Sequence, residues 1–181
     1  MNSIISKYRS FLFQTKNLKF DSYSKLHNWS INYQLEFWTS IIDFFKIRFS
    51  KQTREFHLDN DKFYNSQWFC DSTLSYSENI FNSYSDKTPA IKYQSEEKEL
   101  VSISWNALKA KTLEFQKILL SNNIKKGDRV VAYCGNTPET IAAFLATNSL
   151  GAIWSSCSPD FGYDAVNERF EIIKPKFIFF H

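Results

Sequence analysis

The residues whose types and spacing could do chemistry are concentrated in one short segment, WSSCSPDFG, at residues 154–162. It combines a thiol, hydroxyls and a carboxylate with one of the four prolines and one of the four glycines of the chain. Pro159 fixes one φ angle, Gly162 permits a positive φ, and Asp160 or Asp164 can cap a following helix. The segment is therefore predicted to be a tight turn between a strand and a helix, with either a purely structural role or a role in ligand binding.

The other groups capable of catalysis form no recognisable constellation. The three cysteines are widely spaced and the three histidines lack metal-ligand spacing: Cys70, Cys134, Cys157, His27, His57 and His181. No histidine or basic residue lies close in sequence to Cys157, so a packed thiol is predicted there rather than a nucleophile. We therefore assign no catalytic residue and no metal ligand. An odd number of scattered cysteines is typical of reduced thiols, which predicts a cytoplasmic protein.

Composition excludes several classes of function. The chain has neither GxGxxG nor GxxxxGK[ST], and its four glycines are too scattered to form a loop that wraps phosphates with backbone amides. The net charge is only +3 and no block of five basic residues occurs, so nucleic-acid binding is not indicated. No run of about 18 apolar residues is present, so no membrane partner is expected.

The elements that position the turn follow from glycine and proline usage. The first 88 residues contain neither residue and are predicted to form helices. One apolar stripe at helical spacing consists of Trp38, Ile41, Ile42 and Phe45. Ser30 is the predicted N-cap of that helix, and a capping box at residues 75–78 predicts the start of another.

The later part of the chain changes to alternating strands and helices. AIKYQ and LVSISW predict a β-hairpin, followed by a helix that ends near Asn122 and Asn123. Three apolar strands are predicted at RVVAYC, AIWSSC and KFIFF. The helices between them begin at Thr137-Pro138 and after Gly162, and they end at Gly151 and before Pro175.

This order predicts an α/β fold. Continuous apolar strands are typical of parallel strands that are buried on both faces. Right-handed crossovers then give an open, doubly wound, mostly parallel sheet behind a helical N-terminal segment. Ligands of such sheets bind at the carboxyl ends of the strands, where residues 158–162 are expected to lie. The chain stops at His181 directly after an apolar strand, so we expect the sheet to be incomplete.

Residues 127–162, GDRVVAYCGNTPETIAAFLATNSLGAIWSSCSPDFG, resemble acetoacetyl-CoA synthetases, a family of the adenylate-forming acyl-CoA synthetase superfamily. The resemblance extends upstream through LHNWSINYQLEFWTSIIDFF and SQWFCDSTLSYSENIF, and downstream through ERFEIIKPKFIFF. Acetyl-CoA synthetases carry a Phe-Gly-Gly-Phe turn where this chain has Ser158-Pro159-Asp160-Phe161-Gly162. Acetoacetyl-CoA synthetases carry a Ser-Pro-Asp-Phe-Gly version, which favours acetoacetate over acetate.

The resemblance implies an organisation for the chain. Residues 1–86 are expected to be the helical N-terminal segment of acetyl-CoA-synthetase type. Residues 87–181 are expected to be the start of the large N-terminal domain of adenylate-forming enzymes. The parts that bind and activate ATP would lie beyond His181.

The resemblance also implies a function, an N-terminal fragment of an acetoacetate–CoA ligase. The complete enzyme would use ATP, coenzyme A and Mg²⁺ to convert acetoacetate to its adenylate and then to the thioester. Its partners would be these small molecules and the missing C-terminal portion, and the fragment alone is expected to be inactive. Ser158, Pro159 and Asp160 match the turn that approaches coenzyme A in acetyl-CoA synthetases. The alternatives are another short-chain acyl-CoA synthetase, or a non-catalytic binding or assembly module.

Overall fold

A computed structural model of the chain describes residues 3–52, 62–82 and 87–180. The chain divides into two compact units, residues 1–74 and 75–181. The domain boundary predicted from sequence after residue 86 adjoins residues 83–86, which lie outside the described residues, and it stays a prediction. Within the described ranges, no helix is both long enough and apolar enough to cross a bilayer.

The regular elements that the structure describes in the first unit are helical. Its elements are α1 (Ile4–Lys16), α2 (Tyr23–Asn32), α3 (Gln34–Phe45) and a 3₁₀ turn (Phe63–Asn65). Serine hydroxyls cap the first two helices, because Ser3 accepts the backbone N–H of Ser6 and Ser22 accepts that of Lys25. The core of this unit consists of Tyr8, Leu12 and Leu26, with aromatic rings packed around them. Burial raises the pKa of the Tyr8 hydroxyl, which is hydrogen-bonded to Ser40.

Ser30 is not the N-cap of α3, so that prediction is wrong. It lies inside α2, where its hydroxyl donates to the carbonyl of His27 at 2.8 Å. The helix breaks instead at Tyr33, which has φ −129° and ψ 60°, and α3 begins without a side-chain cap. A serine hydroxyl can bond to the preceding helical turn as readily as it caps the next, and here it does the former.

The predicted apolar stripe of α3 is also only partly correct. Ile42 is buried, but Trp38 and Phe45 are 40% and 48% exposed. Ile41 of the predicted stripe does pack on the core, together with Phe37 and Phe44, which the stripe did not include. Because the apolar face of this helix covers about half of its circumference, its partners rather than its own pattern decide which part of that face is buried.

The second unit begins with a helix and a hairpin, as the sequence predicts. Helix α4 (Tyr76–Asn82) is capped by Ser75, which accepts the backbone N–H of Glu78 at 3.2 Å. Strands β1 (Ile91–Tyr93) and β2 (Val101–Ile103) pair antiparallel. Helix α5 (Trp105–Ser121) follows the hairpin, and Asn123 takes the left-handed conformation just after it, with φ 57°.

The remaining elements alternate strand and helix. They are β3 (Arg129–Tyr133), α6 (Pro138–Ser149), β4 (Ile153–Cys157), α7 (Tyr163–Ile173) and β5 (Phe177–Phe180). The strands form a parallel sheet in the order β4-β3-β5, so the chain runs from the central strand to one side and then to the other. This confirms the predicted α/β fold with a doubly wound parallel sheet.

Helices cover the two faces of this sheet. On one face, Val130 of β3 packs with Leu119 of α5 and Ala146 of α6. Val131 faces the opposite side because strand side chains alternate, and it is also fully buried. Helix α7 contacts β3, and right-handed crossovers in the order β4-β3-β5 place it on that side.

Burial on both faces, predicted for all three strands, holds only for the central one. Exposure reaches 53% at Ile153 in β4 and 79% at Phe180 in β5. These two strands flank β3 on either side, and each is paired with a neighbour along one edge only within the described residues. Their outer side chains therefore receive less cover than those of β3.

Charged side chains tie the amino ends of the strands together. Lys176, just before β5, donates to the Asp128 carboxylate at 2.8 Å and to the Asn123 carbonyl at 2.6 Å. Asp128, just before β3, also accepts the backbone N–H of Lys125 at 2.7 Å. The Lys176 ammonium and the Lys125 amide hold the pKa of the Asp128 carboxyl below its usual value. These bonds join the segments that precede β3 and β5, and we therefore assign this edge of the sheet a structural role.

Candidate functional site

The opposite, carboxyl edge of the sheet gathers the residues that could bind a ligand. The segment Ser158–Gly162 joins β4 to α7, and residues 134–137 join β3 to α6. Because β3 and β4 are parallel neighbours, both connections leave the sheet at the same edge. The structure thus places the sequence-predicted site residues Ser158, Pro159 and Asp160 where an open α/β sheet binds its ligands.

The side chains of the 158–162 turn are bonded to one another. The Ser158 hydroxyl donates to the Asp160 carboxylate at 2.8 Å, and the Asp160 backbone N–H points back to the same hydroxyl at 3.4 Å. The Phe161 N–H donates to the Ser158 carbonyl at 3.2 Å and closes the turn. Ser158, Pro159 and Asp160 are all exposed to solvent. The turn is therefore an ordered loop with an accessible outer surface.

Two predictions about this turn are wrong. Gly162 does not use a positive φ, because its φ is −63° and its ψ is 158°. It is itself the N-cap residue of α7, and no side chain caps that helix. Asp160 is instead engaged with Ser158, while Asp164 lies in the first helical turn, where its charge complements the helix dipole.

Tyr133, which sequence reasoning missed, anchors the turn from the central strand. It is the last residue of β3, and its hydroxyl lies 3.1 Å from the Pro159 carbonyl oxygen and 2.9 Å from that of Phe161. A phenol has one proton to donate, so the two carbonyls share it. The only signal in the sequence was a hydroxylated aromatic residue directly after the aliphatic run Val130–Ala132 at the end of the strand.

A cation lies beside the same turn. The Arg169 guanidinium of α7 sits over the Phe161 ring, 4.6 Å from the ring centroid. Such a cation–π contact at an exposed position contributes about 0.5–1 kcal/mol. It fixes a positive charge next to a turn that carries the Asp160 carboxylate.

The connection after β3 is held by small side chains. Thr137 caps α6 by accepting the Thr140 N–H at 3.3 Å, as the sequence predicts. The Thr140 hydroxyl lies 2.7 Å from the Gly135 carbonyl oxygen and 3.2 Å from the Cys134 sulfur. A cavity of about 190 Å³ opens beside this connection, lined by Phe115, Cys134, Thr137, Glu139, Thr140, Ala143, Phe179 and Phe180.

Among the described residues, the thiols and His27 add no catalytic group to this edge. Cys157 is buried, as a packed thiol should be, and Cys70 and Cys134 are half-buried; none of these three described residues forms a disulfide. His27 lies in α2 with its ring stacked against Tyr23, and His57 and His181 lie outside the described residues. Among the residues that the structure describes, no three His, Cys, Asp or Glu side chains are grouped to hold a metal ion.

Comparison with known proteins finds relatives over nearly the whole chain. Acetoacetyl-coenzyme A synthetase of Rhizobium meliloti (strain 1021) is 36% identical over 157 residues, which is 87% of this chain and 24% of that protein. Acetoacetyl-CoA synthetase of Danio rerio is 35% identical over 181 residues, covering 98% of this chain and 27% of that protein. The chain thus spans about a quarter of the length of these curated relatives.

A solved structure shares the fold across both units. Acetoacetyl-CoA synthetase from Streptomyces lividans matches 96% of this chain and 27% of its own, with a TM-score of 0.84 and 29% sequence identity. The family described as "AMP-binding enzyme" matches residues 79–181, which is more than half of the chain and includes the whole parallel sheet with its carboxyl-edge turn. The chain therefore belongs to the AMP-binding enzyme family.

Proposed function

We propose that this chain is the N-terminal part of an acetoacetate–CoA ligase, an enzyme that activates acetoacetate with ATP and transfers the acyl group to coenzyme A. The observation that carries the proposal is the likeness to acetoacetyl-CoA synthetases over 87% to 98% of the chain. The Ser158–Gly162 turn resembles the version that these synthetases carry, and this supports acetoacetate rather than acetate as the acid.

The proposed reaction has two steps. In the first, a carboxylate oxygen of acetoacetate attacks the α-phosphorus of ATP, the bond to pyrophosphate breaks, and acetoacetyl-AMP forms. In the second, the coenzyme A thiolate attacks the acyl carbon and AMP leaves, which gives the thioester. Both steps depend on positioning and on stabilising charge around the phosphates.

We assign the groups that act on ATP to the rest of the longer enzyme. The chain contains no glycine-rich phosphate loop, and its described residues offer no set of three ligands for the Mg²⁺ that the family implies. No step that involves the metal is therefore assigned to residues of this chain.

The part of the reaction that we assign to this chain is contact with coenzyme A. Ser158, Pro159 and Asp160 form the exposed surface of the carboxyl-edge turn, at the place where ligands of open α/β sheets bind. A carboxylate there would repel phosphates, but two features reduce that repulsion. The Ser158 hydroxyl already donates to the Asp160 carboxylate, and the Arg169 guanidinium is held against Phe161 in the same turn.

The proposed partners are small molecules, namely acetoacetate, ATP and coenzyme A, together with the remaining portion of the longer protein. The cytoplasm is the proposed compartment, and the three cysteines, which form no disulfide, support it.

The test is an assay of AMP and thioester formation by the complete protein that contains this chain. We expect AMP to form only when ATP, coenzyme A and an acid are all present, with a higher kcat/KM for acetoacetate than for acetate, propionate or butyrate. The 181-residue chain alone is expected to form none.

Each contrary result identifies a different error. Preference for another acid would make the enzyme a different short-chain acyl-CoA synthetase. Lack of activity with every acid would favour a non-catalytic binding or assembly module. AMP formation by the 181-residue chain alone would show that the activating groups do not lie elsewhere.

A further inference from the structure

We propose that Tyr133 is a positioning residue for the 158–162 turn, to which the proposed function assigns contact with coenzyme A; the inference rests on that proposed function. Tyr133 is not expected to touch the reacting atoms. It acts through the backbone of Pro159 and Phe161, whose carbonyl oxygens receive its hydroxyl proton. Through them it sets the height and orientation of Ser158, Pro159 and Asp160 above the sheet edge.

The backbone of Tyr133 is held rigidly because of its position in the sheet. It ends the central strand and pairs in register with Cys157 on one side and with Phe180 on the other. The three residues before it, Val130, Val131 and Ala132, are fully buried. The Cα of Tyr133 is therefore fixed from both sides, and its side chain projects a donor from a fixed point.

The turn needs this donor because its own bonds are few. Pro159 has no backbone N–H, and the bonds described within the turn join Ser158 to Asp160 and Phe161. None of these bonds holds the turn to the sheet. The Tyr133 hydroxyl makes that connection, bridging 26 residues of sequence to Pro159 and 28 to Phe161.

The substitution Tyr133→Phe removes this donor and little else. The ring and its packing remain, and the released carbonyls lie in an exposed segment where water can hydrate them, so the fold should survive. The matched control is Tyr76→Phe, the same chemical change in α4 of the same unit, where the Tyr76 ring packs against Phe144. Thermal unfolding of both variants establishes that each is folded.

The first readout is backbone hydrogen exchange of the peptide covering residues 158–162 in the 181-residue chain. We expect exchange in Tyr133→Phe to be about two- to tenfold faster there, the factor that corresponds to one lost hydrogen bond, and unchanged in β3 and α6. Tyr76→Phe should leave the 158–162 peptide unchanged. Equal exchange in wild type and Tyr133→Phe, or a global rise that includes β3, would overturn the proposal.

The second readout is steady-state kinetics of the complete enzyme. We expect Tyr133→Phe to raise KM for coenzyme A about two- to tenfold while the rate of acetoacetate-dependent exchange of pyrophosphate into ATP stays unchanged, since adenylate formation precedes coenzyme A binding. A substitution that only destabilised the fold would instead lower the rates of pyrophosphate exchange and of thioester formation together. An active wild type with an unchanged KM in the variant would overturn the inference about Tyr133 alone. A wild type that forms no thioester would instead overturn the proposed function and the assignment to coenzyme A.

Discussion

At the scale of single residues, the carboxyl-edge turn shows how far local sequence leads. Its place, its composition and the exposure of Ser158 and Asp160 were predictable, because proline and glycine mark turns and short polar side chains stay near solvent. Tyr133 was not predictable, because its partners are backbone carbonyls 26 and 28 residues away. Every residue has a backbone carbonyl, so the sequence does not indicate which carbonyl a side chain such as that of Tyr133 will bind.

The same scale carries a prediction about acid stability at the amino edge. The pKa of Asp128 is lowered first by the hydrogen bond from Lys176 and then by that from the Lys125 amide. A carboxyl whose pKa is lower in the folded than in the unfolded state contributes stability above the unfolded pKa, and this contribution is lost as the pH falls through the folded pKa. The wild type should therefore be more stable than Asp128→Asn at neutral pH; the difference should begin to shrink as the pH falls to the unfolded pKa of about 4 and vanish once the pH is below the lowered folded pKa.

Thermal unfolding of both proteins across a pH series measures this difference. The control is Asp21→Asn in the first unit, whose lowered pKa depends on an exposed pair with Lys25 in the same segment. Its effect should be smaller, because it does not join two strands. A gap between wild type and Asp128→Asn that persists undiminished at low pH would contradict the assignment of the effect to this carboxylate.

At the scale of elements, helix ends were predicted well where one signal acted alone and poorly where two competed. At the start of α6, Thr137 followed by Pro138 is the one start signal in the sequence, and the predicted Thr137 cap is confirmed. Ser30 had two uses open to it, and the break at Tyr33 decided between them. Gly162 was expected to serve turn conformation, whereas it stands at an N-cap with an ordinary φ.

This position gives an element-scale prediction. A Cβ at Gly162 would meet nothing within 4 Å and its φ of −63° suits any residue, so Gly162→Ser should place a hydroxyl on the uncapped end of α7. We expect a gain of about 0.5 kcal/mol in the free energy of unfolding.

Gly151→Ser is the matched comparison. Gly151 has φ 67°, and an added Cβ would lie 3.1 Å from Cγ of Lys126. This substitution should therefore cost about 1 kcal/mol or more. Chemical denaturation of the two variants measures both effects, and destabilisation by Gly162→Ser would mean that the turn requires glycine for another reason.

At the scale of the whole molecule, the two units are each stabilised by cores of their own, and their cores differ in kind. The first is a set of aromatic rings around Tyr8 and Leu12 between helices, and the second is the aliphatic centre of a parallel sheet. The sheet was predictable because its strands are separated by clear helix and turn signals. The packing of the first unit was less predictable, because the apolar face of α3 covers about half of the helix and periodicity cannot select which part of that face is buried.

The exposed outer strands give a prediction at this scale. Phe180 is 79% exposed and Ile178 43% exposed in β5, and apolar side chains beside a strand edge favour association. The 181-residue chain should self-associate in a concentration series by sedimentation velocity. Phe180→Lys should weaken that association about tenfold, the factor expected when an aromatic side chain no longer buries its surface.

Tyr23→Lys makes the same change of charge in the first unit, at a ring that is 63% exposed in α2. It should leave the association unchanged. Equal weakening by both substitutions would attribute the effect to net charge rather than to the surface of β5.

The bond between Tyr133 and the turn has a consequence for how such a site can evolve. Every amino acid carries a backbone carbonyl. Because the Tyr133 hydroxyl bonds only to the backbone carbonyls of Pro159 and Phe161, these bonds do not depend on which side chains stand at positions 159 and 161. A lineage could exchange the residues at positions 158–160 one at a time, and the hydrogen bonds from Tyr133 to the loop backbone would remain available in each intermediate. Selection for a new ligand could thus act on the outer surface of the loop without first having to rebuild its support.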